Sequence, residues 1–314
     1  MSGTGRKRNT VTKRNVENLT DDKTKTKKQK HSTCVVSSSV FYLGAGLSVV
    51  ISLALFIYLI YREENEFETL VPASSKVKRS FYQVPCSNDY QLEKFEACKP
   101  KTCGRVVMDD LIDEDDALHL LSVAKKGLAL GGSSGGASIL DLHSGALSKD
   151  NAFINIYNVI KSEDLDLLSI QDFNIYRKVK NQIHSTIARE FNIPKDKLYL
   201  TKPTFFSRMN TKEPSTIHDE YWHAHVDKET YGSFHYTSLL YLSTYEQDFT
   251  GGRFIFIDEN SNKTVEPRLG RISFFTSGSE NLHRVERLKD GVRYAITVSF
   301  TCDPRQAIQD PSYK

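Results

Sequence analysis

Residues 40–61, Val40 to Tyr61, are 22 consecutive positions without one charged side chain. A stretch this apolar satisfies its backbone as a helix, either across a bilayer or buried in a core. Twenty-two residues at about 1.5 Å each match a hydrocarbon layer of about 30 Å. Core helices rarely run this long without a polar face, so the spanning helix is the expectation. The run starts too far from the N-terminus for a cleaved signal peptide. Arg62-Glu63-Glu64 follows it rather than a small-residue cleavage site. Residues 1–39 hold ten Lys/Arg against three Asp/Glu. That bias predicts a cytosolic N-terminus, a signal-anchor at 40–61 and a single-pass type II topology with the remainder lumenal.

The formal charge of +3 therefore divides into +7 on the tail and −4 on everything after it. The folded part is mildly acidic, so no nucleic-acid partner is expected. The tail, 1–39, reads as disordered and basic, setting topology and touching anionic headgroups. The expected compartment is the secretory pathway, endoplasmic reticulum or Golgi.

Cys34 precedes the span; Cys86, Cys98, Cys103 and Cys302 follow it. In an oxidising lumen four cysteines allow two disulfides in three connectivities. A bridge from the first cluster to Cys302 would staple the stem to the end of the fold. No pair has zinc-like CxxC spacing. Asn262-Lys263-Thr264 is a glycosylation sequon in a predicted loop, usable if lumenal. The Asn18 sequon would lie in the cytosol and stay bare.

Residues 62–104 read as a polar, cysteine-containing stem, 105–302 as the folded domain, and 303–314 as a short tail. Val106–Met108 suggests a strand and 109–127 a helix ended by Gly127. Gly131 to Gly136 lacks Gly-Lys-Ser/Thr and GxGxxG, which argues against a phosphate loop and for a flexible loop over a site mouth. Ile175, Val179, Ile183, Ile187 and Phe191 recur every four residues and predict an amphipathic helix over about 171–191, closed by Pro194. Strands are expected at 198–201, 205–209, 236–242, 253–257, 271–275 and 294–300. Many short strands behind two helices indicate an α+β, mainly β chain built as a sandwich or barrel.

The chemistry concentrates in four residues: His225, Asp227, His283 and Arg293. Two imidazoles and one carboxylate can cap one face of an octahedral Fe(II) and leave three positions open. His225 and Asp227, two apart, would share a face on an ideal strand. His283 would return from a distant strand. Arg293 could grip the far carboxylate of a dicarboxylic acid bidentately. Ala295, Thr297 and Ser299 share its face, small and partly polar. His223 competes with His225 but lacks an Asp two residues on. His218 and His235 read as ordinary surface residues, and Trp222 as a wall of the site.

The ordered stations Trp222 to Asp227, Leu240-Tyr241-Leu242, Gly251-Gly252-Arg253-Phe254, Pro267 to Phe275, Leu282 to Val285 and Arg293 to Ser299 resemble the prolyl 4-hydroxylase branch of the 2-oxoglutarate- and iron-dependent dioxygenases. The resemblance spans roughly residues 105–302 and is strongest from 220 onward. It implies a double-stranded β-helix, or jelly roll, with supporting helices behind one transmembrane helix. It implies Fe(II) on His225, Asp227 and His283. It further implies 2-oxoglutarate held by Arg293 with the Tyr241 hydroxyl, O₂ as oxidant and ascorbate as support. The implied reaction is hydroxylation of a prolyl or other side chain of a lumenal polypeptide. Two rival readings are a non-catalytic jelly-roll binding module and a cupin-like metal enzyme that does not use 2-oxoglutarate. One station departs from the family: the strand Phe205 to Met209 has no tyrosine, and Arg208 or Met209 stands near its place.

Overall fold

The computed structural model describes residues 47–58, 67–162, 167–216 and 219–312. The chain divides into two units, Met1–Ile57 and Tyr58–Lys314. In the first, the described residues are helical; this helix, α1 (47–58), exposes its large apolar side chains, Leu47 and Phe56 among them. No helix among the described residues is long and apolar enough to cross a membrane. Residues 40–46 and 59–61 of the expected span, the tail 1–39 and His218 lie outside the described residues.

The second unit contains two main sheets. The larger runs β2 (Ser80–Val84), β3 (Cys103–Met108), β13 (Ile272–Thr276), β9 (Tyr236–Tyr241), β16 (Arg293–Thr301), β8 (Tyr199–Met209), β5 (Ala137–Leu140), β6 (Ala146–Asp150) and β4 (Gly132–Ser133), with β7 (Ala152–Asn155) paired on β6. The smaller is β1 (Phe67–Val71), β12 (Asn262–Val265), β11 (Phe254–Phe256) and β14 (His283–Val285). A separate ribbon pairs β10 (Phe249–Gly251) with β15 (Leu288–Gly291). Residues 62–104 were expected as a stem, and 67–104 of them are described. Instead β1 is parallel to β12, and β2 is antiparallel to β3.

The period-2 alternation of strands sorts the two faces of the large sheet. Leu240, Ile272, Phe274, Ile296, Val298 and Phe300 point to one core, where α2 (Glu114–Ala129) and α4 (Ile170–Glu190) bury Leu120, Val123, Val179, Ile183 and Ile187. Leu239, Tyr241, Phe275 and Ala295 point the other way, against Phe254, Phe256, Val265 and Val285 of the small sheet. Fully burying such side chains stabilises by about 1.5–3 kcal/mol each. The functional residues stand in the layer between the sheets. A short helix, α3 (Ile156–Ser162), precedes α4.

Several expectations shift. The first helix starts at Glu114, behind Asp113 and an acidic first turn, and runs through Gly127 to Ala129. Gly127 does not end it: a Cβ there would stand 2.3 Å from Leu140, so the glycine allows β5 to approach. α4 begins at a capping box of Ser169 and Asp172. The two short strands expected at 198–209 are one, β8, with irregular pairing to β16 around Pro203. Asn262 opens β12 rather than sitting in a loop, and Thr264 of its sequon is buried against Thr69. His235 is buried, not superficial: its Nδ1 lies 3.2 Å from Thr301 Oγ1 and its Nε2 3.0 Å from Glu93. Disulfides join Cys86 to Cys103 and Cys98 to Cys302.

Candidate active site

His225 and Asp227 do not occupy a strand. His225 makes an isolated antiparallel bridge with His283; His225 N donates to His283 O at 2.9 Å and His283 N to His225 O at 3.1 Å. Asp227 is the first residue of a short helix, α5 (Asp227–Tyr231), closed by Gly232 at φ 71°. An acidic residue in a first helical turn faces the positive end of the helix dipole. The chain still converges on the expected point. Asp227 Oδ1 lies 3.5 Å from His225 Nε2 and 3.7 Å from His283 Nε2. The three donors lie within 4.8 Å of one another.

Each donor is oriented by a second contact. The Nδ1 of His225 faces the His223 carbonyl at 3.1 Å, and that of His283 faces the Asn281 carbonyl at 2.8 Å. A carbonyl there requires the proton on Nδ1 and leaves the Nε2 lone pair for a metal. Thr237 donates to Asp227 Oδ2 at 2.5 Å, so Oδ1 faces the imidazoles. Phe254 stacks on His283 with centroids 5.0 Å apart, and Phe275 meets its ring edge-on at 5.1 Å. Burial pushes the Asp227 carboxyl up. The neighbouring His283 imidazole and the bonds from His225 and Thr237 outweigh that and hold it below the usual carboxylate range. Burial pulls His283 down; in His225 the same pull is outweighed by Asp227, and its pKa ends raised.

The triad opens into a cavity of about 500 Å³ between the sheets, lined also by Phe205, Ser207, Met209, Leu239, Arg293 and Thr297. That volume is ordinary for a small-molecule site. Arg293 is fully buried. Its Nη1 meets only Met209 Sδ, at 3.6 Å, and its Nε and Nη2 have no hydrogen-bond partner among the described residues. Burial lowers its pKa, opposed by Tyr241 and Tyr221. A buried, unpaired guanidinium costs several kcal/mol unless an anion meets it. A small dicarboxylate fits this donor set: a forked cation at one end and an O/N/N metal face at the other.

Arg293, His225, Asp227 and His283 thus line one cavity, and Tyr241 does not. The Tyr241 ring lies 5.4 Å from the Arg293 guanidinium, and its hydroxyl is bonded to Ser273 Oγ at 3.0 Å. Trp222 is also outside the lining, under Arg287 at 4.7 Å, and Tyr221 takes the wall. His223 is exposed and paired with Glu220. Met209 stands beside Arg293, while Arg208 points to the opposite face of β8, to Leu128 O and Ser138 Oγ.

The sequence reading did not find Thr237 or Asp219. Thr237 carries a signal, since it shares strand parity with Leu239 and Tyr241. Asp219 carries none. It accepts from Ser133 Oγ and from the backbone of Ser215 and Thr216, and a Cβ at Gly135 would come within 2.3 Å of it. The glycine-rich segment is therefore tied to the chain ahead of the triad, and its Ser133 borders the cavity.

Residues 206–301 match the model of the 2OG-Fe(II) oxygenase superfamily. The chain is 58% identical over 252 residues to 2-oxoglutarate and iron-dependent oxygenase domain-containing protein 3 of Xenopus tropicalis, covering 80% of each. Its identity to the Homo sapiens protein of that name is 53% over 271 residues, 86% of this chain and 85% of that one. Prolyl 3-hydroxylase 1 of Rattus norvegicus is 27% identical over 229 residues, 66% of this chain and 30% of that protein. Mainly β, with two facing sheets and few helices, the fold is similar to the jelly roll of 2OG oxygenases. The chain belongs to the 2OG-Fe(II) oxygenase superfamily and is an enzyme of its dioxygenase (hydroxylase) class.

Proposed function

We propose that the protein is a membrane-anchored hydroxylase that oxidises a prolyl side chain of a lumenal polypeptide, with Fe(II), 2-oxoglutarate and O₂, and ascorbate as reductant. The observation that carries the reading is the buried Arg293, two of its donors unpaired, in the same cavity as His225, Asp227 and His283. Bound together, Fe(II), 2-oxoglutarate and O₂ supply the oxidation, giving succinate, CO₂ and a hydroxylated carbon.

The chain's own residues do the rest. The Nε2 atoms of His225 and His283 and Asp227 Oδ1 would hold the metal. Arg293 orients the co-substrate by its distal carboxylate, and the Tyr241 ring supports the guanidinium from beneath. Phe205, Leu239, Phe254 and Val285 exclude water from the layer where the oxidation occurs. The exposed end of the cavity, at Asn151, Ala152 and Phe153, admits the substrate segment.

The anchor reading rests on the uncharged run at 40–61 behind a basic tail. Two disulfides support an oxidising lumen. The prolyl assignment rests on the likeness to a prolyl 3-hydroxylase over 66% of this chain. The test is succinate release by the full chain in detergent, with a panel of proline-containing peptides. Stimulation by such peptides, with one added oxygen mapped to proline, is expected. Stimulation only by proline-free peptides would overturn the prolyl assignment. Digestion of the C-terminal domain by protease in sealed microsomes would overturn the lumenal one.

A further inference from the structure

The steps above make no use of residues 86–103, yet their buried polar groups meet both segments that deliver metal ligands. Cys86–Cys103 closes this stretch on itself, and Cys98–Cys302 ties it to the residue after β16. Within it the Glu93 side chain is 6% exposed and ion-paired with Lys228, the residue that follows Asp227 in α5. Glu93 also lies 3.0 Å from His235 Nε2 and accepts from Phe95 N at 2.9 Å. The Lys228 ammonium stands 5.0 Å over the Tyr90 ring.

The same stretch grips the turn before His283. The Tyr90 hydroxyl donates to Glu280 Oε1 at 2.9 Å and accepts from Gly278 N at 3.1 Å. Asp89 accepts from Ser279 N at 2.9 Å and from its hydroxyl. That turn ends at Asn281, whose carbonyl orients His283. The turn and α5 also meet each other: Lys228 N donates to Ser277 O at 3.1 Å, and the Ser277 hydroxyl bonds Thr237, the residue holding Asp227 Oδ2.

We propose that residues 86–103 are a clamp that sets the spacing of Asp227 and His283, with Glu93 as its positioning residue. The inference rests on the reading of His225, Asp227 and His283 as the metal site. Buried ion pairs are poor sources of stability, because apolar packing of similar volume does as well or better. What a fixed charge network supplies is placement. Outer partners of metal ligands typically change metal affinity by about 10–100-fold when lost.

The experiment titrates the full chain with Co(II) and follows its visible ligand-field bands, for wild type, Glu93→Gln, Asp89→Asn and Asp172→Asn. Asp172 lies in the α4 capping box, on the far face of the large sheet, and serves as a control for general destabilisation. Glu93→Gln and Asp89→Asn are expected to bind Co(II) about tenfold more weakly, with altered band intensity. Asp172→Asn is expected to lower Tm and bind Co(II) as wild type does. Should Glu93→Gln not fold, Asp89→Asn carries the same comparison. Affinities within twofold of wild type in the clamp variants would overturn the proposal, as would an equal loss in Asp172→Asn. Absence of Co(II) binding by wild type would instead overturn the metal-site reading on which it rests.

Discussion

Arg293 is the residue whose environment most narrows the chemistry. Two of its donors meet no hydrogen-bond partner among the described residues, in a layer that excludes water. An orphaned cation is a liability without its ligand, and that sets the sign of a test. Arg293→Met is expected to leave Tm unchanged or raised in the absence of 2-oxoglutarate, because it removes an uncompensated charge. It should also raise the KM for 2-oxoglutarate by about 30-fold or more, about 2 kcal/mol, the low end for losing one partner of a buried charge pair. Arg293→Lys keeps the charge but loses the fork, and should fall between. A large fall in Tm for Arg293→Met without 2-oxoglutarate would mean the guanidinium supports the fold instead. The four chemical positions were legible in the sequence because the chemistry demands those side chains at those stations. Asp219, Glu93 and His235 were not, because their partners lie across the chain and no local pattern announces them. Tyr241 is expected from the resemblance to give its hydroxyl to the co-substrate carboxylate, but Ser273 on the neighbouring strand holds that hydroxyl, a contact no local pattern announces.

At the scale of elements, α4 was legible to within a residue or two, since an apolar side chain every fourth position fixes both its type and its buried face. α5 was not. His225 and Asp227 lie two apart, as a strand would place them, but Gly232 and the acidic first turn favour a single helical turn. β4 to β7, two to five residues each, carry too little periodicity to detect. The division between core and site gives a paired prediction. Ile183→Ala, on the buried face of α4, should cost about 2–5 kcal/mol in chemical denaturation and leave the KM for 2-oxoglutarate unchanged. The stretch bearing Glu93 predicts a pH dependence. Burial pushes its carboxyl up, but the close approach of His235 and the bond from Lys228 outweigh this and hold it well below the ordinary range. A depressed pKa in the folded state contributes stability above the unfolded value of about 4.3 and loses it as pH falls below that. The Tm difference between wild type and Glu93→Gln should therefore be full at pH 6 and shrink steadily below pH 4. A difference that grew on acidification would contradict the assignment of charge.

For the whole molecule, the parts of the fold are tied by long-range links, of which the cysteine positions announce only the bridge from the first cluster to Cys302. Residues 62–104 read as a stem because they are polar with little periodicity, yet β1 and β2 each add to a different sheet. The Cys98–Cys302 bridge closes a separation of 204 residues, against 17 for Cys86–Cys103. Constraint of the unfolded chain grows with loop length. Replacing Cys98 and Cys302 by serine should cost more stability than replacing Cys86 and Cys103, within the usual range of about 2–5 kcal/mol. Urea unfolding of the two double variants checks the order. The central claim concerns the cavity between the sheets, and the most direct measurement is succinate formed from 2-oxoglutarate by the full chain with Fe(II), comparing wild type with Asp227→Ala. Loss of the one carboxylate among the three donors should sharply weaken the metal site, so the account predicts turnover in wild type and none above background in the variant. Near-normal succinate formation with alanine at 227 would contradict it.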